Sequence, residues 1–185
     1  VHHLQRERGL SNLVMYTPQT SFQIQLNDQA KVVDQALENT ARVIQTIMSS
    51  GYISAARLQT SIALALQSSF DLAEIRKSVQ RYQFRQEVSQ TPCEHYSVLI
   101  RLWLDVVIEA AGLSVSAQVS RSVLSLIYLL QAKEYAGQER AWGVIAFSGK
   151  AAGAELAERL QVLGQSQHDA LQALWPAIDT GSCLQ

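Results

Sequence analysis

Apolar residues recur along this chain at spacings of three and four, and nowhere alternate with polar ones in the two-residue rhythm of a strand. Leu4, Leu10, Leu13 and Val14 form the first stripe, over residues 1–16, with Arg8 on the side of Leu4 and Gly9 directly after it. Thr17-Pro18 predicts the end of that helix, because a residue before proline avoids the α region. From about Ser21 to Ser50 the stripe is Val32, Val33, Ala36, Leu37, Val43, Ile44, Ile47 and Met48, with Gly51 as its C-cap. A shorter helix after Ser54 is expected to bury Leu58, Ile62, Ala65 and Leu66. Asp71 with Glu74 reads as a capping box that opens a basic helix containing Arg76, Lys77, Arg81 and Arg85.

Thr91-Pro92-Cys93-Glu94 is the strongest start signal: a capping hydroxyl, proline at the first helical position, then an acid in the first turn. The helix it opens carries Tyr96, Leu99, Leu102, Trp103, Val106 and Ala110 to Gly112. Ser114 or Ser116 caps the next helix, which reaches about Ser148, and Gly149 to Gly153 forms a turn. The last helix has Leu156, Leu160, Leu163, Leu171 and Leu174, and is expected to stop at Trp175-Pro176. The expected fold is all-α: long antiparallel helices with short connections, packed in the manner of four-helix bundles. No solenoid period is visible.

One stretch breaks the pattern. Ala132-Lys133-Glu134-Tyr135-Ala136-Gly137-Gln138-Glu139-Arg140-Ala141-Trp142 lies in the middle of a long helical run. Lys133 and Arg140, seven positions apart, share a face that is otherwise apolar: Val119, Val123, Leu126, Ile127 and Leu130 before it, Val144 and Ile145 after it. Gly137 sits one turn before Arg140, at a cost of about 1 kcal/mol relative to alanine. A cation pointing inward beside a missing side chain describes a small anion site. The bland alternative stays open at this point, because helical arginines commonly pair with acids or extend to water. Glu7 and Glu139 are each adjacent in sequence to an arginine, hence about 100° round the helix from it, and are poorly placed as its partner.

Composition narrows the function classes. Of 185 residues, 48% are hydrophobic, enough for a sizeable core, and three prolines and nine glycines argue against disorder and turn-rich β folds. The 15 basic and 16 acidic residues leave a net charge of -1, which excludes a broad nucleic-acid footprint. The run from Arg76 to Arg85 therefore reads as a solvated face, with direct RNA contact as the lesser alternative. Cys93 and Cys183 define neither a disulfide framework nor a zinc motif, and His2, His3, His95 and His168 lack metal-ligand spacing. No Ser/His/Asp or Cys/His set and no glycine-rich phosphate loop is present, so no enzyme, metal or cofactor is expected. Trp103, Trp142 and Trp175 read as core or bundle-edge residues. No apolar run approaches the roughly 18 residues of a membrane span, and no signal peptide is visible. Because the chain starts at Val1 within a helical pattern, natural sequence is expected to precede it.

Two stretches carry a family resemblance. Leu4-Gln5-Arg6-Glu7-Arg8-Gly9 resembles the LQ-K/R-ERG signature of the nitrate- and nitrite-sensing domain, the NIT domain. Lys133-Glu134-Tyr135-Ala136-Gly137-Gln138-Glu139-Arg140-Ala141 resembles its KE-x-x-GQERA signature. Both stand in the family's order with a helical spacer between them, and the likeness spans about Val1 to Leu174. The resemblance implies a helical sensor over residues 1–178, with 179–185 as a tail or a linker to an output domain outside this chain. It implies nitrate or nitrite as ligand, Arg8 and Arg140 as the anion-binding arginines, and Gly9, Gly137 and Lys133 as pocket neighbours. Outputs in the family include ANTAR RNA-binding antiterminators, histidine kinases, chemoreceptors and cyclic-nucleotide enzymes, so RNA would be reached only through the absent output. A cytoplasmic regulator is expected, with a periplasmic sensor segment as the alternative, and a homodimer is compatible with either. The competing class is a ligand-free helical module for dimerisation or signal relay.

Overall fold

The computed structural model describes residues 1–17, 19–50, 55–85, 92–113, 116–148 and 153–179. Among these, all regular structure is helical: α1 (His2–Tyr16), α2 (Thr20–Ser49), α3 (Ala56–Phe70), α4 (Leu72–Arg85), α5 (Pro92–Ala111), α6 (Ala117–Phe147) and α7 (Ala154–Asp179). The all-α expectation holds. Pro18, Gly51, Thr91, Ser114 and Cys183 lie outside the described residues, as does the turn from Gly149 to Ala152.

Local chemistry sets the ends. Thr17 leaves the helix for an extended backbone (φ -126°, ψ 106°) while its N–H still closes α1 by donating to the Leu13 carbonyl. Ser116 caps α6, its hydroxyl accepting from the Val119 N–H and satisfying one of the orphan donors of the first turn. Two ends differ from expectation. Asp71 does not open α4 as an N-cap; it stays in the α region (φ -73°, ψ -10°), its N–H donates back to the Ser68 carbonyl, and its own carbonyl accepts from Ile75. The carboxylate of Glu74 turns to Lys77 at 2.7 Å instead of back to Asp71. Helices α3 and α4 are therefore joined through one residue. At the other end of the chain, Pro176 lies inside α7, which continues to Asp179. A proline removes a single ladder donor, and this one sits in the last turns, where little of the ladder remains to be broken.

The chain divides into two compact units, Val1–Trp103 and Leu104–Gln185, with α5 beginning in the first and ending in the second. In the first unit α1 is the axis. Leu4, Glu7, Arg8, Leu10, Ser11, Asn12, Val14 and Met15 are all buried along its fifteen residues. Helix α2 packs on it, with the Gln29 amide donating to the His3 carbonyl at 3.1 Å. Helix α4 runs alongside in the same direction as α1, since Glu7 meets Arg76 near their starts and Tyr16 meets Tyr82 near their ends. Leu10, Val14, Met15, Leu26 and Val79 form the apolar core of these three helices, with Leu13, Tyr16, Phe22 and Tyr82 packed around it. Each large aliphatic side chain enclosed this way contributes on the order of 1.5–3 kcal/mol. Trp103 ties α5 to α3 by donating from Nε1 to the Ser69 hydroxyl at 3.2 Å.

The second unit is built on the pair α6 and α7. Trp142, near the end of α6, has the Arg159 guanidinium over its ring at 4.0 Å, near the start of α7, so the two helices run antiparallel. Ile127, Ala132, Ala141, Trp142 and Ile145 are buried on α6, and Leu163 and Ala170 on α7. The apolar face expected on α6 is only partly enclosed: Val119 (50% exposed) and Leu126 (48%) face outward, as do Leu124 and Leu129. No helix among the described residues is long and apolar enough to cross a membrane.

Candidate functional site

Helix α1 carries a polar stripe on its inward side. Glu7, Arg8, Ser11 and Asn12 recur at helical spacing among Leu4, Leu10, Val14 and Met15, and every one of these polar side chains is at most 1% exposed. Burial of a charge is tolerated only where it is paired and hydrogen-bonded. Glu7 meets that condition with Arg76 of α4: Nε donates to Oε1 at 2.6 Å and Nη2 to Oε2 at 3.2 Å. Tyr96 of α5 also donates to Glu7 Oε1, at 2.9 Å, and receives a longer bond from the Ser11 hydroxyl at 3.4 Å. Arg76 reaches further, to both oxygens of Asp34 and to the Ala30 carbonyl on α2. One guanidinium thus fastens α4 to α1 and α2.

Arg8 points elsewhere. Its Nη1 donates to the Ser97 hydroxyl on α5 at 2.8 Å, and Ser97 donates in turn to the Cys93 carbonyl at 2.8 Å. The adjacent acid is held by Arg76 instead, and the angular separation of neighbouring helix positions lets the two side chains reach different helices. The electrostatics follow. Burial pushes the Tyr96 hydroxyl above its ordinary range, and the neighbouring Glu7 charge raises it further. For Arg76, burial alone would weaken the charged form, but the hydrogen-bonded carboxylates of Glu7 and Asp34 outweigh it and hold the guanidinium charged.

Arg76 corrects the sequence-based picture of α4. Lys77 and Arg81 do form a solvated face, both pairing with the exposed Glu74. Arg76 instead turns inward, with a quarter of its side chain exposed. The side chain of Arg85 lies outside the description.

The second motif lies on α6. Its enclosed stripe is Glu134, Ala141, Trp142 and Ile145, with the Gln138 amide donating to Glu134 Oε1 at 2.9 Å. Lys133 and Gly137 are half-buried and Arg140 is exposed. The inward face is therefore turned by one position from the one expected, and Arg140 does not point into the interior of its unit. Trp142 meets Arg159 of α7 and, with Ala141 and Ile145, is enclosed, which sets the rotation of α6. A Cβ placed at Gly9 would meet nothing within 4 Å from the rest of the unit, so no other helix approaches closely at that position.

Sequence reasoning named Arg8 but missed Tyr96, Ser97, Ser11, Asn12 and the inward Arg76. The signal available for α1 was its four polar residues at positions that a helix with this apolar pattern must turn inward. Nothing in spacing could link Glu7 to Arg76 or Arg8 to Ser97, which fold topology alone brings together. Among the described residues no cluster of His, Cys, Asp or Glu could hold a metal ion.

The profile of a family described as nitrate and nitrite sensing, NIT, matches residues 1–179. The chain belongs to the NIT family. This NIT domain is 28% identical over 177 residues to a nitrate regulatory protein of Klebsiella oxytoca, an alignment that covers 94% of this chain and 43% of that protein. Its fold is similar to that of the NasR transcription antiterminator, with a TM-score of 0.82 at 26% identity over 95% of this chain and 46% of that one. The NIT domain described here spans less than half the length of either relative. Its two motifs fall in separate units, Arg8 in the first and Arg140 in the second.

Proposed function

We propose that Arg8 holds nitrate or nitrite, that Arg140 is the second guanidinium of the site, and that Gly9, Gly137 and Lys133 are its neighbours. The observation that carries this is the setting of Arg8. It is the arginine of a family motif, buried within the first unit where α1 meets α5, with Nη1 on the Ser97 hydroxyl. Nitrate is planar and singly charged, and a planar fork of N–H donors fits it in bidentate fashion.

A ligand shifts a conformational equilibrium only through its differential affinity for two arrangements. An anion held by Arg8 favours the arrangement in which the guanidinium is presented to it, and that preference is what an output domain would read. We assign the chain to a cytoplasmic regulator with an output beyond these residues, on the model of the antiterminator relative; any RNA contact would belong to that output. A thermal unfolding series tests the site. Nitrate raises the midpoint progressively with concentration, as a ligand of the folded state must, and chloride and sulfate do not. Equal responses to all three anions would refute it.

The exposure of Arg140 favours a second reading, a ligand-free helical relay in which α6 carries the motif for structural reasons. In that case nitrate leaves the midpoint unchanged.

A further inference from the structure

We propose that Ser97 is the positioning residue of the anion site: its hydroxyl fixes the orientation of the Arg8 guanidinium and so sets the preference for a planar anion. The proposal rests on the reading that Arg8 holds the anion.

Three observations support it. The first is polarity. A hydroxyl has one proton, and Ser97 spends it on the Cys93 carbonyl one turn earlier at 2.8 Å. The oxygen therefore faces Arg8 as an acceptor and accepts from Nη1 at 2.8 Å. Cys93 is fully buried at the start of α5, so the carbonyl that fixes the hydroxyl is itself held in the interior.

The second is charge. The contact occupies one of the five N–H groups of the guanidinium and supplies no negative charge. A carboxylate at position 97 would also orient Arg8, but would add a negative charge that competes with the anion. Serine adds no such charge.

The third is register. Glu7 and Arg8 are consecutive on α1, and Tyr96 and Ser97 are consecutive on α5. The pairs meet in step, Tyr96 on Glu7 and Ser97 on Arg8. The bond from Tyr96 to the buried Glu7 holds α5 against α1 at this level, so Ser97 reaches Arg8 from a fixed base.

Orientation matters for a flat anion that takes paired donors and is immaterial for a spherical one. The test is calorimetric titration of the whole chain with sodium nitrate and with sodium chloride, alongside unfolding midpoints. Ser97→Ala is expected to bind nitrate about tenfold more weakly, the scale of one hydrogen bond to a charged group, with chloride binding unchanged. Ser97→Thr keeps the hydroxyl and binds nitrate to within about threefold of the parent, a loss smaller than that bond is worth. Ser97→Asp, which folds with its own ion pair to Arg8, shows no nitrate binding. If Ser97→Ala keeps the parent's nitrate affinity, if Ser97→Thr is as weak as Ser97→Ala, or if Ser97→Asp still binds, the assignment of Ser97 is overturned while Arg8 keeps its role. If the parent chain itself takes up no nitrate, the reading of Arg8 falls and this one with it.

Discussion

Arg76 and Glu7 meet across α4 and α1 through two hydrogen bonds, at 2.6 and 3.2 Å, with the carboxylate wholly enclosed. Removing one partner of such a pair strands the other. Arg76→Met is expected to cost about 3 kcal/mol, at the lower end for a buried pair because the arginine is partly solvated. Replacing both residues, Arg76→Met with Glu7→Met, leaves no uncompensated charge and should cost less than Arg76→Met alone. Urea unfolding of the single and double variants measures the difference. A double variant less stable than the single would show that the charges are not what the pair contributes.

The two motif arginines should separate function from stability in different degrees. Arg140 is exposed, so Arg140→Ala is expected to change stability by no more than about 0.5 kcal/mol while nitrate response is lost. Arg8→Ala also loses the response, with helical content nearly unchanged, and additionally costs about 1.5–3 kcal/mol through its bond to Ser97. Lysine at either position fails to restore binding, because the planar fork is gone. Circular dichroism with nitrate titration reads both quantities; an Arg140→Ala chain that still responds would remove that residue from the site.

Gly9 offers a test of opposite sign. It lies inside α1 with open space where a Cβ would go. Gly9→Ala should stabilise the chain by about 0.5–1 kcal/mol through helix propensity and a less flexible unfolded state. A lower thermal midpoint would show that the methyl meets something.

Stability should fall in alkali. An unfolded tyrosine ionises near pH 10, whereas the Tyr96 hydroxyl, held by burial and by the Glu7 charge, ionises only at higher pH in the folded chain. Above pH 10 the unfolded state therefore binds fewer protons than the folded one, and unfolding is favoured as pH rises. The contribution is fully present below pH 10 and is lost above it, at up to about 1.4 kcal/mol per pH unit for one group. Tyr16, raised by burial and its hydrogen bond to Tyr82, adds in the same direction. Urea midpoints between pH 8 and 11 should decline for the parent and decline less for Tyr96→Phe; identical slopes would remove Tyr96 from the account.

The helices were legible in the sequence wherever one residue type dictates backbone geometry: proline after Thr17, proline at position 92, the serine cap at 116. They were misread where two rules compete. Asp71 and Glu74 have capping-box chemistry, but a chain already helical at Asp71 continues through it. Pro176 forbids one hydrogen bond and not a whole turn. The site was legible only through its motifs. Arg8 could be picked out and its neighbours could not, because Ser97 and Arg76 come to α1 from other helices. On α6 the enclosed face lies one position from the expected one, since it includes a buried glutamate, Glu134, that simple apolar counting does not favour.

The consecutive placement of Glu7 and Arg8 has a mechanical consequence. Side chains one position apart leave a helix in directions about 100° apart, and here one is tethered to α4 and the other to α5. Such a rod cannot spin: torque on either tether is resisted by the other. A pull on the Arg8 arm would therefore pass to Arg76 and, through it, to Asp34 on α2, so that three helices would register a disturbance applied to one.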